Sequence, residues 1–214
     1  MNFLEIINKC LVELNYKQVN NFAELTKNEH KKIMNILNVL NSEVCQYAKW
    51  NFLLRKTVLT LPAGMNEIDN TINGRISQLL IDSHEFHYYE NASDIINRKI
   101  KGKNLYSGYD GKIIFAKTFD EDKSVEVIYY TYNSALNAAG EEKSSLTEET
   151  DSSAIPMPFV EPILVFGTCM RLKGNPQHIR FNYWVSMYKD ALANMVSRCS
   201  IDSGFEPVVR LRRS

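Results

Sequence analysis

Apolar positions in the first fifty residues recur at helical spacing. Leu4, Ile7, Leu11 and Leu14 follow one another at steps of three and four, which predicts an amphipathic helix from about Asn2 to Leu14. Thr26-Lys27-Asn28-Glu29 has the form of a capping box, in which a threonine oxygen and a glutamate carboxylate satisfy backbone donors exposed at a helix start. A second helix is therefore expected from there to about Trp50. Its seam is Ile33, Leu37, Leu40, Val44 and Tyr47, widened by Ile36, Val39 and Ala48, and suits packing against another helix.

The pattern then changes class. Lys56-Thr57-Val58-Leu59-Thr60-Leu61 is rich in β-branched residues and closes on Pro62 and Gly64. Further strands are expected over Ile76 to Ile81, His84 to Tyr89, Ile113 to Lys117 and Val125 to Tyr132. Asp110-Gly111 is a turn signal, and the charged run Thr118 to Lys123 suits a hairpin loop between the last two strands. Ala92-Ser93-Asp94 can start one helical turn. Residues 133–153 are polar and read as a long exposed loop, either mobile or an arm that orders against a neighbouring subunit.

Helix returns after Ile155-Pro156-Met157-Pro158. Pro162 suits a first helical turn and Gly174 the residue just past a helix end, so Pro162 to Lys173 is a short helix with Ile163, Phe166 and Met170 inward. After Gly174-Asn175-Pro176, the residues Phe181, Val185, Tyr188, Leu192, Met195 and Cys199 form the longest helical seam in the chain. The expected fold is α+β. The N- and C-terminal helices form a four-helix bundle, with an inserted antiparallel β domain and an extended C-terminal arm. The corresponding segments are 1–55, 56–157 (with the polar loop 133–153), 158–202 and 203–214.

Composition narrows the functional classes. With 25 basic and 25 acidic residues among 214, the chain lacks the net positive field of a general nucleic-acid binder. No apolar window approaches the roughly 20 residues of a membrane span, and the first residues lack a signal-peptide pattern, so a soluble, cytoplasmically made protein is expected. Cys10, Cys45, Cys169 and Cys199 lie far apart, with no CxxC pair, and read as buried core residues rather than metal ligands or disulfides.

Candidate chemistry is sparse. His84 and His87 are three apart, which on a strand places them on opposite faces. Asp120, Glu121 and Asp122 read as a solvated turn between Lys117 and Lys123. Cys169 and His178 would need an orienting carboxylate to act as nucleophile and base. Tyr106-Ser107-Gly108-Tyr109-Asp110-Gly111 lacks the remaining residues of a phosphate-binding fingerprint. Neither a catalytic residue, a metal site nor a cofactor is therefore expected.

The order of parts resembles the tail adaptor, or head-to-tail connector, proteins of short-tailed bacteriophages. The resemblance rests on Trp50 and Phe52 after the second helix, Leu61-Pro62 after the first strand, Pro156 with Pro158 before the third helix, and Tyr188 to Met195 in the fourth. It implies a homo-oligomeric ring, usually of twelve subunits, that joins the portal protein to the tail nozzle or other tail components. In that setting DNA passes through without sequence-specific binding, no membrane is involved, and the protein sits at the head–tail junction of the virion. It also implies a portal-binding arm, here Phe205, Val208, Val209, Arg210, Leu211, Arg212 and Arg213, whose apolar members can fill grooves while the arginines meet carboxylates. The alternatives are a small hydrolase and a DNA-binding regulatory protein.

Overall fold

Helix gives way to strand at Leu54 and returns at Glu161. The computed structural model describes residues 1–201. Its elements in order are α1 (Phe3–Glu13), α2 (Asn28–Tyr47), β1 (Leu54–Leu61), β2 (Glu67–Asp69), β3 (Gly74–Ile81), β4 (His84–Tyr88) and α3 (Ala92–Ile96). There follow β5 (Leu105–Tyr109), β6 (Lys112–Phe115), β7 (Lys123–Thr131), β8 (Ala135–Leu136), β9 (Glu142–Lys143) and β10 (Ser152–Ser153). A π-helical turn (Glu161–Phe166) then runs into α4 (Gly167–Lys173), and α5 (Phe181–Cys199) closes the series. The chain divides into two compact units, one from residues Met1–Leu53 and Tyr132 onward, the other from Leu54–Thr131.

In the first unit, α1 carries the capping box that was expected further along. Asn2 Oδ1 accepts from the Glu5 N–H at 2.8 Å, and Glu5 Oε2 accepts from the Asn2 N–H at 2.9 Å. α2 instead starts from Lys27 without a side-chain cap, so the box expected at Thr26–Glu29 does not form. Ile33, Leu37, Leu40 and Val44 are buried, but Tyr47 and Val39 are 65% and 45% exposed. The buried stripe turns instead toward Asn41 and Cys45, and Ser134 and Ser153 hydrogen-bond to Asn41 there.

Those residues are not a free loop. Asn38 Nδ2 donates to the Leu146 carbonyl at 2.9 Å and Asn38 Oδ1 accepts from the Leu146 N–H at 2.8 Å. Asn41 Nδ2 donates to the Ser134 carbonyl at 2.8 Å, and Ser153 Oγ donates to Asn41 Oδ1 at 2.6 Å. Two helical asparagines thus supply the hydrogen bonds that a polar stretch otherwise takes from water. Leu146 fills the core, and β10, β8 and β9 pair in that order as a small sheet.

Gly174 ends α4 in the left-handed region, φ 52°, as its position past the helix predicts. Gly167 has a different role, since a Cβ there would stand 2.6 Å from Leu40 Cδ2 and 3.0 Å from Tyr188 Cδ2. The missing side chain lets α4 approach α2 and α5 closely. In α5 the buried residues are Trp184, Ala191 and Met195, a stripe offset from the expected one through Phe181 and Val185.

The second unit is a seven-stranded sheet in the order β1-β7-β3-β4-β5-β6-β2. All neighbours are antiparallel except β4 and β5, which pair parallel through His87 with Leu105 and Tyr88 with Tyr106. Parallel neighbours cannot be joined by a tight turn, and the crossover here holds α3. Two tight turns use adjacent left-handed residues: Asp82 and Ser83 between β3 and β4, and Asp110 and Gly111 between β5 and β6. Leu61, Leu79, Ile81, Phe86, Phe115, Val125 and Val127 form the main core of this unit.

The expected fold class is corrected by this architecture. The protein is mixed α/β, with a seven-stranded sheet and five α-helices among the described residues, and a four-helix bundle with an inserted antiparallel β domain does not describe it. α1 has 11 residues and α4 only 7, against 20 and 19 in α2 and α5, so four matched helices are not available for a bundle. The sheet is mixed rather than antiparallel. The hairpin expected from Ile113 to Tyr132 is also absent: β6 pairs with β5 and β2, while β7 pairs with β1 and β3. The arm expected at 203–214 lies outside the described residues.

Candidate functional site

Most of the sequence candidates are occupied by structural contacts. His84 and His87 are both exposed on β4, on opposite faces, and His84 Nδ1 lies 2.8 Å from the Asp82 carbonyl oxygen. Asp122 Oδ1 accepts from the Ala63 N–H at 2.8 Å, while Lys123 bridges Glu121 at 2.6 Å and Asp82 at 2.9 Å. These carboxylates hold loops together. Tyr106 to Gly111 forms β5 and its turn.

Cys169 and His178 each have other partners. Cys169 is buried, with its sulfur 3.9 Å from the Cys10 carbonyl, and His178 stacks on Trp184 with ring centroids 5.0 Å apart. Burial, helped by a hydrogen bond with the Cys169 thiol, pushes the Cys10 thiol well above its usual range, and burial pushes Cys45 up to about 12. Thiolates are the reactive form. Iodoacetamide at neutral pH should therefore modify the half-buried Cys199 first, leaving Cys10, Cys45 and Cys169 unlabelled until denaturant is added; peptide mass spectrometry after timed quenching reads this directly.

The end of α5 is anchored at Trp50. Trp50 is fully buried, its Nε1 donates to the Val44 carbonyl at 2.7 Å, and its ring stacks on Phe52 at 5.7 Å and 17°. The backbone of Trp50 forms a β-bridge with Ser200, and the Ile201 N–H donates to the Lys49 carbonyl at 2.9 Å. Ser200 and Ile201 are thus held at the Trp50 corner. Phe205, Val208, Val209, Arg210, Leu211, Arg212 and Arg213 lie outside the described residues.

Two open concavities of the β unit differ in their electrostatic balance. One, of about 370 Å³, includes Glu67, Asp69 and Lys112 in its lining. Lys112 pairs with Glu67, and that hydrogen bond and charge raise the Lys112 pKa, so with Asp69 this lining keeps one carboxylate in excess. The other, of about 470 Å³, has Arg98, Lys101 and Lys117 around a floor that includes Ile95, Phe115 and Ala116, with no carboxylate in the lining.

The α3–β5 connection supplies two of those cations. Arg98-Lys99-Ile100-Lys101-Gly102-Lys103 holds four cations in six positions, a run visible in the sequence that strand and helix patterns do not bring out. Its backbone is held at both ends. Lys99 N–H donates to the Asp94 carbonyl at 2.9 Å and Gly102 N–H to the Ala116 carbonyl at 2.9 Å. Arg98 and Gly102 take left-handed conformations, φ 54° and 69°, which bend the chain around the concavity.

No helix among the described residues is long and apolar enough to cross a membrane. No protein-family model matches the chain, and no curated protein matches it significantly.

Proposed function

We propose that this chain is a structural subunit of a bacteriophage virion, a head-to-tail connector that closes into a ring between the portal protein and the tail. The observation that carries the reading is the division of labour along the chain. Residues 1–53 and those from 132 onward build one cored unit, in which Ser200 bridges Trp50, while Leu54–Thr131 build a second unit with its own core. A connector needs at least two surfaces of this kind, one for neighbouring subunits and the portal, another for tail components. The reading requires no four-helix bundle.

Exposed apolar side chains support an assembly role. Ile179 is 94% exposed just before α5, and Tyr47 and Tyr183 are exposed on the same unit. Heterologous contacts repeated around a closing rotation would cover such positions in every subunit.

Two experiments separate the parts of this proposal. Electron microscopy and analytical ultracentrifugation of the purified full chain should show a closed ring, with twelve subunits expected. Deletion of residues 205–214 should abolish capture of the portal protein of the same virus while leaving the folded chain intact by circular dichroism. A chain that stays monomeric with the portal present, or that binds the portal equally well after the deletion, would overturn the connector reading.

A further inference from the structure

The charge of this protein is balanced overall but not locally. The 470 Å³ concavity presents Arg98, Lys101 and Lys117 without a carboxylate in its lining, in a chain whose 25 basic residues equal its acidic ones. Asp94, in the preceding α3, is already occupied: it pairs with Lys99 at 3.2 Å and accepts from Asn91 Nδ2 at 2.9 Å and Tyr89 Oη at 3.3 Å. Among the described residues Arg98 and Lys101 have no ion-pair partner. Lys117 lies 4.9 Å from the Phe119 ring centroid, a contact that leaves its charge uncompensated.

We infer that this concavity is a contact site for the phosphate backbone of nucleic acid. The inference stands on the lining itself and holds whether or not the chain forms a ring. Arg98 and Lys101 are exposed on a bent connection whose backbone is hydrogen-bonded at its base. The concavity they line is open rather than enclosed. A small phosphate is held tightly when several donors enclose it; cations on an open surface instead suit the repeating charges of a polymer. The one side-chain amide in the lining, Asn66, already donates its Nδ2 to the Phe115 carbonyl at 3.4 Å, and the cations address phosphates rather than base edges, so contact should be independent of sequence.

The magnitude follows from counterion release. Three cations neutralising three duplex phosphates predict that log K against log salt has a slope of about −2.7, from a slope of about −0.9 per phosphate. The test is fluorescence anisotropy of two labelled 20-base-pair duplexes of unrelated sequence, titrated with full-length protein over a range of chloride concentrations. The Arg98→Gln/Lys101→Gln/Lys117→Gln variant should bind both duplexes at least about tenfold more weakly at low salt, with its slope shallower by about three contacts' worth. A variant with the same charge change elsewhere, Lys27→Gln/Lys31→Gln/Lys32→Gln, should bind like the parent chain.

Failure of the parent chain to bind either duplex at low salt would overturn the proposal. So would an equal loss in the two triple variants, which would reduce the effect to net charge. Displacement of the duplex by inorganic phosphate, at an ionic strength where chloride leaves it bound, would assign the site to a small anion and overturn the polymer reading. Should the triple variant fail to fold, Lys101→Glu alone provides the same test from an exposed position, with an expected loss in affinity for both duplexes. The ring and portal experiments do not depend on this outcome, so either reading can fail separately.

Discussion

Replacing Trp50 with alanine is expected to destabilise the unit built from the chain ends by about 3–5 kcal/mol, the usual cost of truncating a fully buried tryptophan. The ring is completely covered and stacks between Phe52 at 5.7 Å and Tyr47 at 6.5 Å. Truncation opens a void beside these aromatics and removes the ring on which both stack. It also removes the donor to the buried Val44 carbonyl, which adds about 1 kcal/mol when the acceptor is left unpaired. The measurement is favourable because the chain has two tryptophans, Trp50 and Trp184, both in this unit. Urea unfolding followed through Trp184 fluorescence therefore reports the effect without a signal from the β unit. An unchanged midpoint would contradict the packing described here, whereas Trp50→Phe should retain much of the stacking and cost less.

Asp151 should be nearly as sensitive. Its side chain is 0% exposed, and Oδ2 accepts from Lys143 Nζ at 2.7 Å, Thr147 N–H at 2.8 Å and Glu148 N–H at 2.9 Å. Its backbone carbonyl accepts from the Phe3 N–H at 2.7 Å, which ties residues 142–153 to the start of α1. Asp151→Ala leaves two backbone donors without their acceptor and Lys143 without its strongest partner. Breaking a fully buried ion pair costs roughly 3–5 kcal/mol. Because the Lys143 side chain keeps 25% exposure, about 2–4 kcal/mol is expected here.

The same network sets a pH dependence. Burial alone would raise the Asp151 pKa, but the Lys143 hydrogen bond and the Glu148 and Thr147 N–H groups outweigh it and hold the carboxyl below its ordinary 3.8. A carboxyl with a depressed folded pKa contributes stability that is complete above its unfolded pKa and is lost as pH falls through the folded value. Parent protein should therefore lose stability as pH drops below about 4. Asp151→Asn should be less stable at neutral pH and show a smaller loss over that acid range. Parallel curves for the two proteins in urea titrations from pH 7 downward would remove Asp151 from this role.

Helices were more legible than their packing. The three- and four-residue steps predict α1, α2 and α5 because a helix repeats locally, and Pro162 and Gly174 mark the third helical segment for equally local reasons. Which edge of an apolar stripe becomes buried depends on the neighbour that covers it. Trp184 and Ala191 lie inside in place of Phe181 and Val185, because Trp184 Nε1 donates to Glu13 Oε2 at 2.9 Å at the end of α1. Tyr47 lost its expected place in the α2 seam to Asn41 and Cys45 for the same kind of reason.

The β unit shows the limit more clearly. Asp110-Gly111 identifies its turn, since adjacent left-handed residues are a local requirement. A charged connection such as Thr118 to Lys123 does not reveal that β7 joins β1 and β3 while β6 joins β5 and β2. Strand pairing is chosen among distant segments by how their faces pack together. The basic run from Arg98 to Lys103 is likewise open to inspection in the sequence. Its meeting with Lys117 across Phe115 and Ala116 is not.

From the sequence alone follow the helical stretches with their breaks, the change to strand after the second helix, the balanced overall charge and the dispersed cysteines, because each depends on neighbouring residues or on composition. Only the tertiary structure decided that residues 133–153 pack against α2, that the sheet is mixed, that Asp151 is buried against Lys143, and that three cations share a lining without a carboxylate. Those features depend on which distant groups meet, and on whether a charge brought out of water finds a partner there.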